Sequence, residues 1–321
     1  MQESLKPSLS EEPLVSVLML AYNHERYIAQ AVEGALMQQV DFTYEIVIGE
    51  DCSTDGTRDL ITGYGGKYND RIRLLLQKRN AGMQKNFADT YRACRGRYIA
   101  LLDGDDFWTD PHKLQKQVDY LEKNPDYAIC FHNMQVLYED DQQMNRLSNP
   151  NQQETTTLED LARGNFIYTA SCLFRKTFSE LPRWFDQCAV GDYPLHLLNA
   201  RQGKIRFIDE VMGVYRVHPG GTWEILSDSS RIEKWVATLE IIGYQFDKPI
   251  NKIIRDKISL WHYKLAELLN GDMNRARIFS HILKSVMVSP FNRQVSKLDL
   301  LKIILHQAFP RFYGCMKGMY R

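Results

Sequence analysis

Tyr98-Ile99-Ala100-Leu101-Leu102-Asp103-Gly104-Asp105-Asp106 couples an apolar run to a glycine-bearing turn with three carboxylates. An unbroken apolar run of this length reads as a strand buried in a sheet. Carboxylates crowded at its C-terminal end repel one another unless a cation or solvent relieves them. Mg²⁺ and Mn²⁺ take hard oxygen donors of this kind. A solvated turn accounts equally well for an isolated Asp-x-Asp, so the stretch acquires meaning only from what surrounds it.

Upstream, strand-like and helix-like segments alternate. Val15 to Ala21 is a short apolar, β-branched run, after which Ile28, Ala31, Val32 and Ala35 recur at helical spacing. Tyr44 to Gly49 and Ile72 to Leu76 read as further strands, with Thr57 to Tyr68 and Lys85 to Cys94 as helices. This order predicts an α/β fold with a mostly parallel central sheet flanked by helices. Downstream, Asp110-Pro111 is expected to start a helix, with Leu114, Val118 and Leu121 as its buried stripe. Residues 139 to 157 are polar and read as an exposed loop or insertion. Beyond Ser230 the pattern becomes helical: Trp235, Leu239 and Ile242 share one face, and Trp261, Leu265 and Leu268 another. The implied organisation is a flexible tail over 1–12, a catalytic domain over 13–230 and a helical C-terminal region over 231–321.

Forty basic and forty acidic residues cancel, so no global field recruits nucleic acid. The six cysteines stand singly, without a Cys-x-x-Cys pair, which argues against a zinc site or a disulfide framework and for a reducing compartment. The N-terminal MQESLKPSLSEEP lacks the basic start and apolar run of a signal peptide. No stretch is long enough to span a bilayer. A cytoplasmic protein is the expectation, with any membrane contact peripheral.

Ligands of open α/β sheets gather at the carboxyl ends of the strands. The polar segments expected there are Tyr22-Asn23-His24-Glu25, the run from Glu50 to Gly56, and the acidic turn at Asp103. At this point the chain resembles the family 2 glycosyltransferases with a GT-A fold. The resemblance runs from Pro13 to about Trp223 and is carried by six ordered blocks: AYNHERYI at 21 to 28, EDCSTDGT at 50 to 57, KRNAGMQKN at 78 to 86, ALLDGDDFW at 100 to 108, GDYPLHLLNARQG at 191 to 203 and VYRVHPGGTW at 214 to 223.

The resemblance implies transfer of a sugar from a UDP-sugar donor to a glycan or lipid-linked acceptor, with Mn²⁺ or Mg²⁺ offsetting the charge that develops on the departing diphosphate. It makes Asp105 the direct metal ligand, places Asp103 toward ribose or metal, and gives Asp106 a supporting position. Asp51 would accept from the uracil imide, with Ala21, Tyr22, Asn23, Glu25 and Gly104 around the nucleotide sugar. Glu50 either assists at the ribose or ends its strand as a solvated side chain, and Asp55 reads as turn and cap chemistry. Asp192 is the candidate general base of an inverting displacement, although Gly191-Asp192-Tyr193-Pro194 also has the form of a helix cap. Family members commonly place Glu-Asp here, so Gly191 leaves Asp192 as the sole local acid. His218 is either a further metal ligand or a structural histidine. Arg216 is either a diphosphate partner or a structural ion pair, and Trp223 either stacks on a sugar or anchors its loop.

Residues 291 to 321 carry Arg293, Lys297, Lys302, Arg311, Lys317 and Arg321 against Asp299, with Leu298, Leu301, Ile304 and Leu305 between them. Such a segment either lies on an anionic membrane, here the cytoplasmic face of the inner membrane, or packs as an ordinary helix with a solvated face. A nucleotidyltransferase making nucleotide sugars is the competing enzyme class, but AYNHERYI lacks the glycine-rich basic loop that class carries after its first strand. A non-catalytic binding module is the third reading. Retention of Asp51, Asp103, Asp105 and Asp192 together argues against it.

Overall fold

The computed structural model describes residues 2–4, 12–139, 145–223, 225–270 and 275–308. The chain divides into two compact units, Met1–Gln187 with Gly191–Gly221, and Cys188–Val190 with Thr222–Arg321. The sequence reading placed the change to helices at 230; the units part at Gly221.

The first unit opens with β1 (Gln2–Ser4), within the segment expected to be a tail, followed by β2 (Val15–Ala21), α1 (Ile28–Leu36), β3 (Tyr44–Glu50), α2 (Thr57–Lys67), β4 (Ile72–Leu76), α3 (Met83–Ala93) and β5 (Tyr98–Asp103). Strands β4, β3, β2 and β5 lie side by side in parallel. Their residues are almost wholly buried because helices cover both faces, which is why the strands read as continuous apolar runs rather than alternating ones. Ile28, Ala31, Val32 and Ala35 of α1 are buried as expected. Gly34 on the same helix lets it approach the sheet: a Cβ there would sit 3.0 Å from the Trp108 backbone.

The chain continues through β6 (Phe107–Trp108), α4 (Lys113–Lys123), β7 (Tyr127–Tyr138), β8 (Arg146–Leu147), β9 (Thr155–Thr156), α5 (Leu158–Arg163), β10 (Leu173–Arg175), α6 (Asp192–Ala200) and β11 (Lys204–Val217). The sheet is extended by β10, antiparallel to both β5 and β7, and then by β11, parallel to β7 and antiparallel to β6. Two expectations change here. Helix α4 starts at Lys113, and the Asp110 carboxylate accepts from the His112 amide and the Lys116 ammonium, each at 2.7 Å. The polar 139–157 segment is not wholly loop: β8 pairs with β7 and β9 with β11.

Register fixes where the polar loops emerge. Leu20 is paired with Asp103 and Ala21 with Glu50, so β2, β3 and β5 end level with one another. Strand β11 runs past β6, pairing Val214 with Phe107, and its end therefore returns to the acidic turn.

The second unit contains α7 (Asp228–Ile242), α8 (Ile250–Leu268), α9 (Arg275–Val288) and α10 (Lys297–Ala308). Tyr263, Ala266, Ile278, Ile282, Leu300 and Ile303 form its core. Among the described residues, no helix is long and apolar enough to cross a membrane.

Candidate active site

The loop after β2 and the loop after β3 are stitched together by side chains. Asn23 accepts from the Thr54 amide at 2.8 Å, and its own amide donates to Ser53 Oγ at 3.0 Å. Glu25 accepts from the Gly56 amide at 3.0 Å while its amide donates to Asp55 at 3.1 Å. Asn23 and Cys52 both have positive φ, 56° and 61°. Asn tolerates that region, whereas for Cys52 it costs about 1–2 kcal/mol, and such outliers gather where surrounding structure over-determines the backbone. Asn23 and Glu25 thus shape the loop; Tyr22 projects, 40% exposed.

The two acids ending β3 have separate duties. Glu50 is buried and paired with Arg58, so it does not end its strand as a solvated side chain: it is half of an internal ion pair. Asp51 accepts from the amides of Ala81 at 2.7 Å and Gly82 at 2.9 Å. Burial pushes its pKa up against the pull of those two amides.

At the centre lies the turn after β5. The Gly104 amide donates to Leu20 O at 2.9 Å, and a Cβ at Gly104 would sit 2.6 Å from His24 Nδ1 and 2.9 Å from Leu20 O. A glycine is required because this turn lies flat against β2. Asp105 Oδ2 then faces His218 Nε2 at 3.2 Å and His24 Nε2 at 3.6 Å. Burial alone would push Asp105 up, but the hydrogen bond with His218 and the proximity of both imidazoles hold it below the ordinary carboxylate value. Asp103 goes the other way: burial, then the charges of Asp105 and Asp192, push it up to about 8. Asp106 is also pushed well up by burial and by Asp105 and Asp103.

Asp106 and Arg216 lock the turn to β11. Asp106 accepts from the Arg216 amide at 2.8 Å, and Arg216 Nε donates to Asp105 O at 2.8 Å. The guanidinium also donates to Gln30 at 2.7 Å and lies over the rings of Tyr27 and Phe107. Of the two roles left open for Arg216, its contacts here are those of a structural clamp. His218 packs on Tyr27, with ring centroids 4.6 Å apart.

Asp192 is the first residue of α6, with Gly191 at the cap, so it is not the cap itself. Asn165 Nδ2 donates to its Oδ2 at 3.1 Å. Burial raises the Asp192 pKa and this hydrogen bond partly offsets the rise. Raised into a range nearer neutrality, a carboxylate is a better proton acceptor. Trp223 belongs to the second unit, where it lines a cavity with Trp235 and Trp261.

Two residues escaped the sequence reading. His24 was given no role, yet it stands beside Asp105, with its Nδ1 buried and without a hydrogen-bond partner among the described residues. Its position in the loop after β2 was the available signal. Asn165 has no local signal, because its partner lies 27 residues away. The donor types fit Mn²⁺ or Mg²⁺: hard carboxylates with adjacent imidazoles, and a mutual repulsion around Asp103 that a cation would relieve. Among the described residues, no three His, Cys, Asp or Glu side chains are gathered into a coordinating group.

The profile of Glycosyl transferase family 2 matches residues 16–181. An uncharacterised protein of Mycobacterium tuberculosis is 36% identical over 211 residues, covering 65% of this chain and 60% of that protein. The chain therefore spans less than two thirds of the length of such relatives. A Bacillus subtilis protein, named provisionally as a teichuronic acid biosynthesis glycosyltransferase, is 31% identical over 156 residues, 49% of this chain and 60% of its own. Among solved structures, S. aureus TarS in complex with UDP-GlcNAc superposes with a TM-score of 0.66 at 15% identity, over 92% of this chain and 87% of that one. That likeness establishes the GT-A fold.

Proposed function

Since the chain belongs to glycosyl transferase family 2, we propose that it transfers a sugar from a UDP-sugar to a glycan or lipid-linked acceptor in cell-surface polysaccharide synthesis, with inversion and with metal dependence. The observation that carries this is the arrangement around Asp105: two imidazoles on one carboxylate, with Asp103 pressed by both Asp105 and Asp192. Asp192 takes the proton from the acceptor hydroxyl on its carboxylate, held in position by Asn165. Asp103, Asp105 and His218 would hold Mn²⁺ or Mg²⁺, and the cation would offset negative charge on the leaving diphosphate. Asp51 and the loop from Ala21 to Glu25 receive the nucleoside, and Gly104 keeps the acidic turn low enough for the donor to lie over it.

The names of relatives support the polysaccharide setting, and UDP-GlcNAc in the TarS complex supports the donor class. The test is a screen of nucleotide sugars with Mn²⁺ or Mg²⁺, following nucleoside diphosphate release by wild type and Asp192→Asn. Release by the wild type only in the presence of a divalent cation is expected. Equal turnover by the two proteins would remove the base assignment.

The same reading includes peripheral contact with the cytoplasmic face of the inner membrane through 291–321. In support, Leu298, Leu301 and Leu305 of α10 are exposed, while Leu300, Ile303 and Gln307 are buried. Arg311, Lys317 and Arg321 lie outside the described residues. Flotation with anionic vesicles, compared with a chain lacking 291–321, tests it; equal flotation counts against the contact.

A further inference from the structure

The second unit carries a cleft of about 670 Å³ lined by Trp223, Trp235 and Trp261, three of the five tryptophans in the chain. Its volume falls in the ordinary range of ligand pockets, roughly 300–1,000 Å³. On their helices Trp235 shares a face with Leu239 and Ile242, and Trp261 with Leu265 and Leu268. Leu239, Ile242 and Leu265 are buried, yet both tryptophans are only half-buried and line the cleft, with Leu268 51% exposed at its edge. Indole surface left open at the expense of packing calls for an occupant.

We propose that this cleft binds a neutral saccharide chain. Sugar rings offer one face of weakly positive C–H groups and an edge of hydroxyls. The negative face of an indole suits the first, and polar side chains at the rim suit the second. The rim holds Asp228, Arg231, Lys264 and Glu267, two acids and two bases whose formal charges cancel. A site for a phosphate, an acidic polymer or an anionic headgroup would have an excess of cations. The two cations are moreover already engaged: Lys264 lies 4.6 Å over the Trp261 ring, and Arg231 donates to Trp223 O at 2.9 Å and pairs with Asp228 at 3.4 Å. Lys264 thus backs the Trp261 ring as Lys257 backs that of Trp235, at 5.5 Å, and Arg231 holds the Trp223 main chain, while carboxylate oxygens remain as acceptors for hydroxyls. The site lies within the second unit and needs none of the carboxylates named for transfer, so it stands or falls separately from the proposed chemistry.

The test uses the full chain without donor or metal and reads tryptophan fluorescence against chitotetraose, cellotetraose and maltotetraose. Saturable change with at least one of them is expected. Trp261→Ala should weaken binding by about tenfold or more, the loss of one stacked aromatic, with Trp261→Phe intermediate. Because Trp261→Ala could unsettle α8, Glu267→Gln and Lys264→Ala on the exposed rim serve as second variants and should weaken binding while melting like the wild type. No response to any of the three tetrasaccharides would overturn the proposal. So would a response to phosphatidylglycerol vesicles alone, which would make the cleft a lipid site.

Discussion

Asp105 Oδ2 and His218 Nε2 lie 3.2 Å apart, joining the turn after β5 to the end of β11 across 113 residues of sequence. The contact keeps Asp105 ionised in a place where burial alone would favour its protonated form. If Asp105 is the group that meets the cation, Asp105→Ala should abolish metal-dependent donor binding with the fold intact. His218→Ala should lower the apparent metal affinity by about 10–100-fold, whether it acts as a ligand or by orienting one. Titration of Mn²⁺ against nucleoside diphosphate release checks both, and an unchanged metal requirement in both variants would sink the assignment.

Asn165 and Asp192 give a prediction in pH. The Asn165 amide stabilises the ionised form of Asp192, so its removal raises the Asp192 pKa further above the ordinary value. In Asn165→Ala the acid limb of the kcat/KM profile should therefore move to higher pH, with activity at high pH largely kept. Asp192→Asn should instead lose about 10²–10⁴-fold at every pH, the usual range for a general base. Profiles that coincide for wild type and Asn165→Ala would mean that Asp192 is not the group titrating.

The parts legible in the sequence are those where physics is local. The boundaries of Val15–Ala21 and Ile72–Leu76 were readable because a parallel strand covered on both faces is a nearly continuous apolar run, broken once in each case, by Ser16 and by Arg73. The GT-A fold followed from that order and from the family resemblance. Strand β7 was not readable, because it buries His132 and Asn133 among its apolar residues and breaks the pattern that marks a strand. The acid turn was found through its own composition, whereas His24 acts on it through space, as Asn165 acts on Asp192. The burial of Glu50 was not legible for the same reason: its partner Arg58 lies on the next helix, and nothing in EDCSTDGT discloses the pairing.

Lys113 is fully buried against Trp108, with its ammonium 3.9 Å over the indole and no hydrogen-bond partner among the described residues. Burial lowers its pKa to about 7, against the weaker opposite pull of Cys172 and Cys130. The unfolded chain thus holds more protons than the folded one between about pH 7 and the ordinary value of 10.5. The cost of burying Lys113 is full below that window and falls away as pH rises through it. Lys113→Met should stabilise the protein by about 1–4 kcal/mol at neutral pH, as replacing buried charge with apolar volume often does. The gain should shrink toward pH 10. Denaturant unfolding at two pH values checks the sign, and a variant less stable at pH 7 would contradict it.

Glu45 presents the opposite case, a buried charge that is fully answered. From β3 it accepts from Ser16 Oγ at 2.7 Å and from the Arg95 amide at 2.8 Å, and its other oxygen takes Arg95 Nη2 at 2.7 Å and Nε at 3.0 Å. Arg73 Nη1 adds a contact at 3.3 Å. Burial would raise this carboxyl, but the Arg95 and Ser16 hydrogen bonds overbalance it and hold the pKa below the ordinary 4.5. Its stabilising contribution is therefore complete above that value and is lost as pH falls through the lower folded one. Glu45→Met should cost about 3–5 kcal/mol at pH 7, because two guanidinium groups lose their shared partner. Adding Arg95→Met should recover part of that loss, since only Arg73 then remains near the vacated position. A double variant that is less stable than Glu45→Met alone would show that Arg95 is held by something other than this carboxylate.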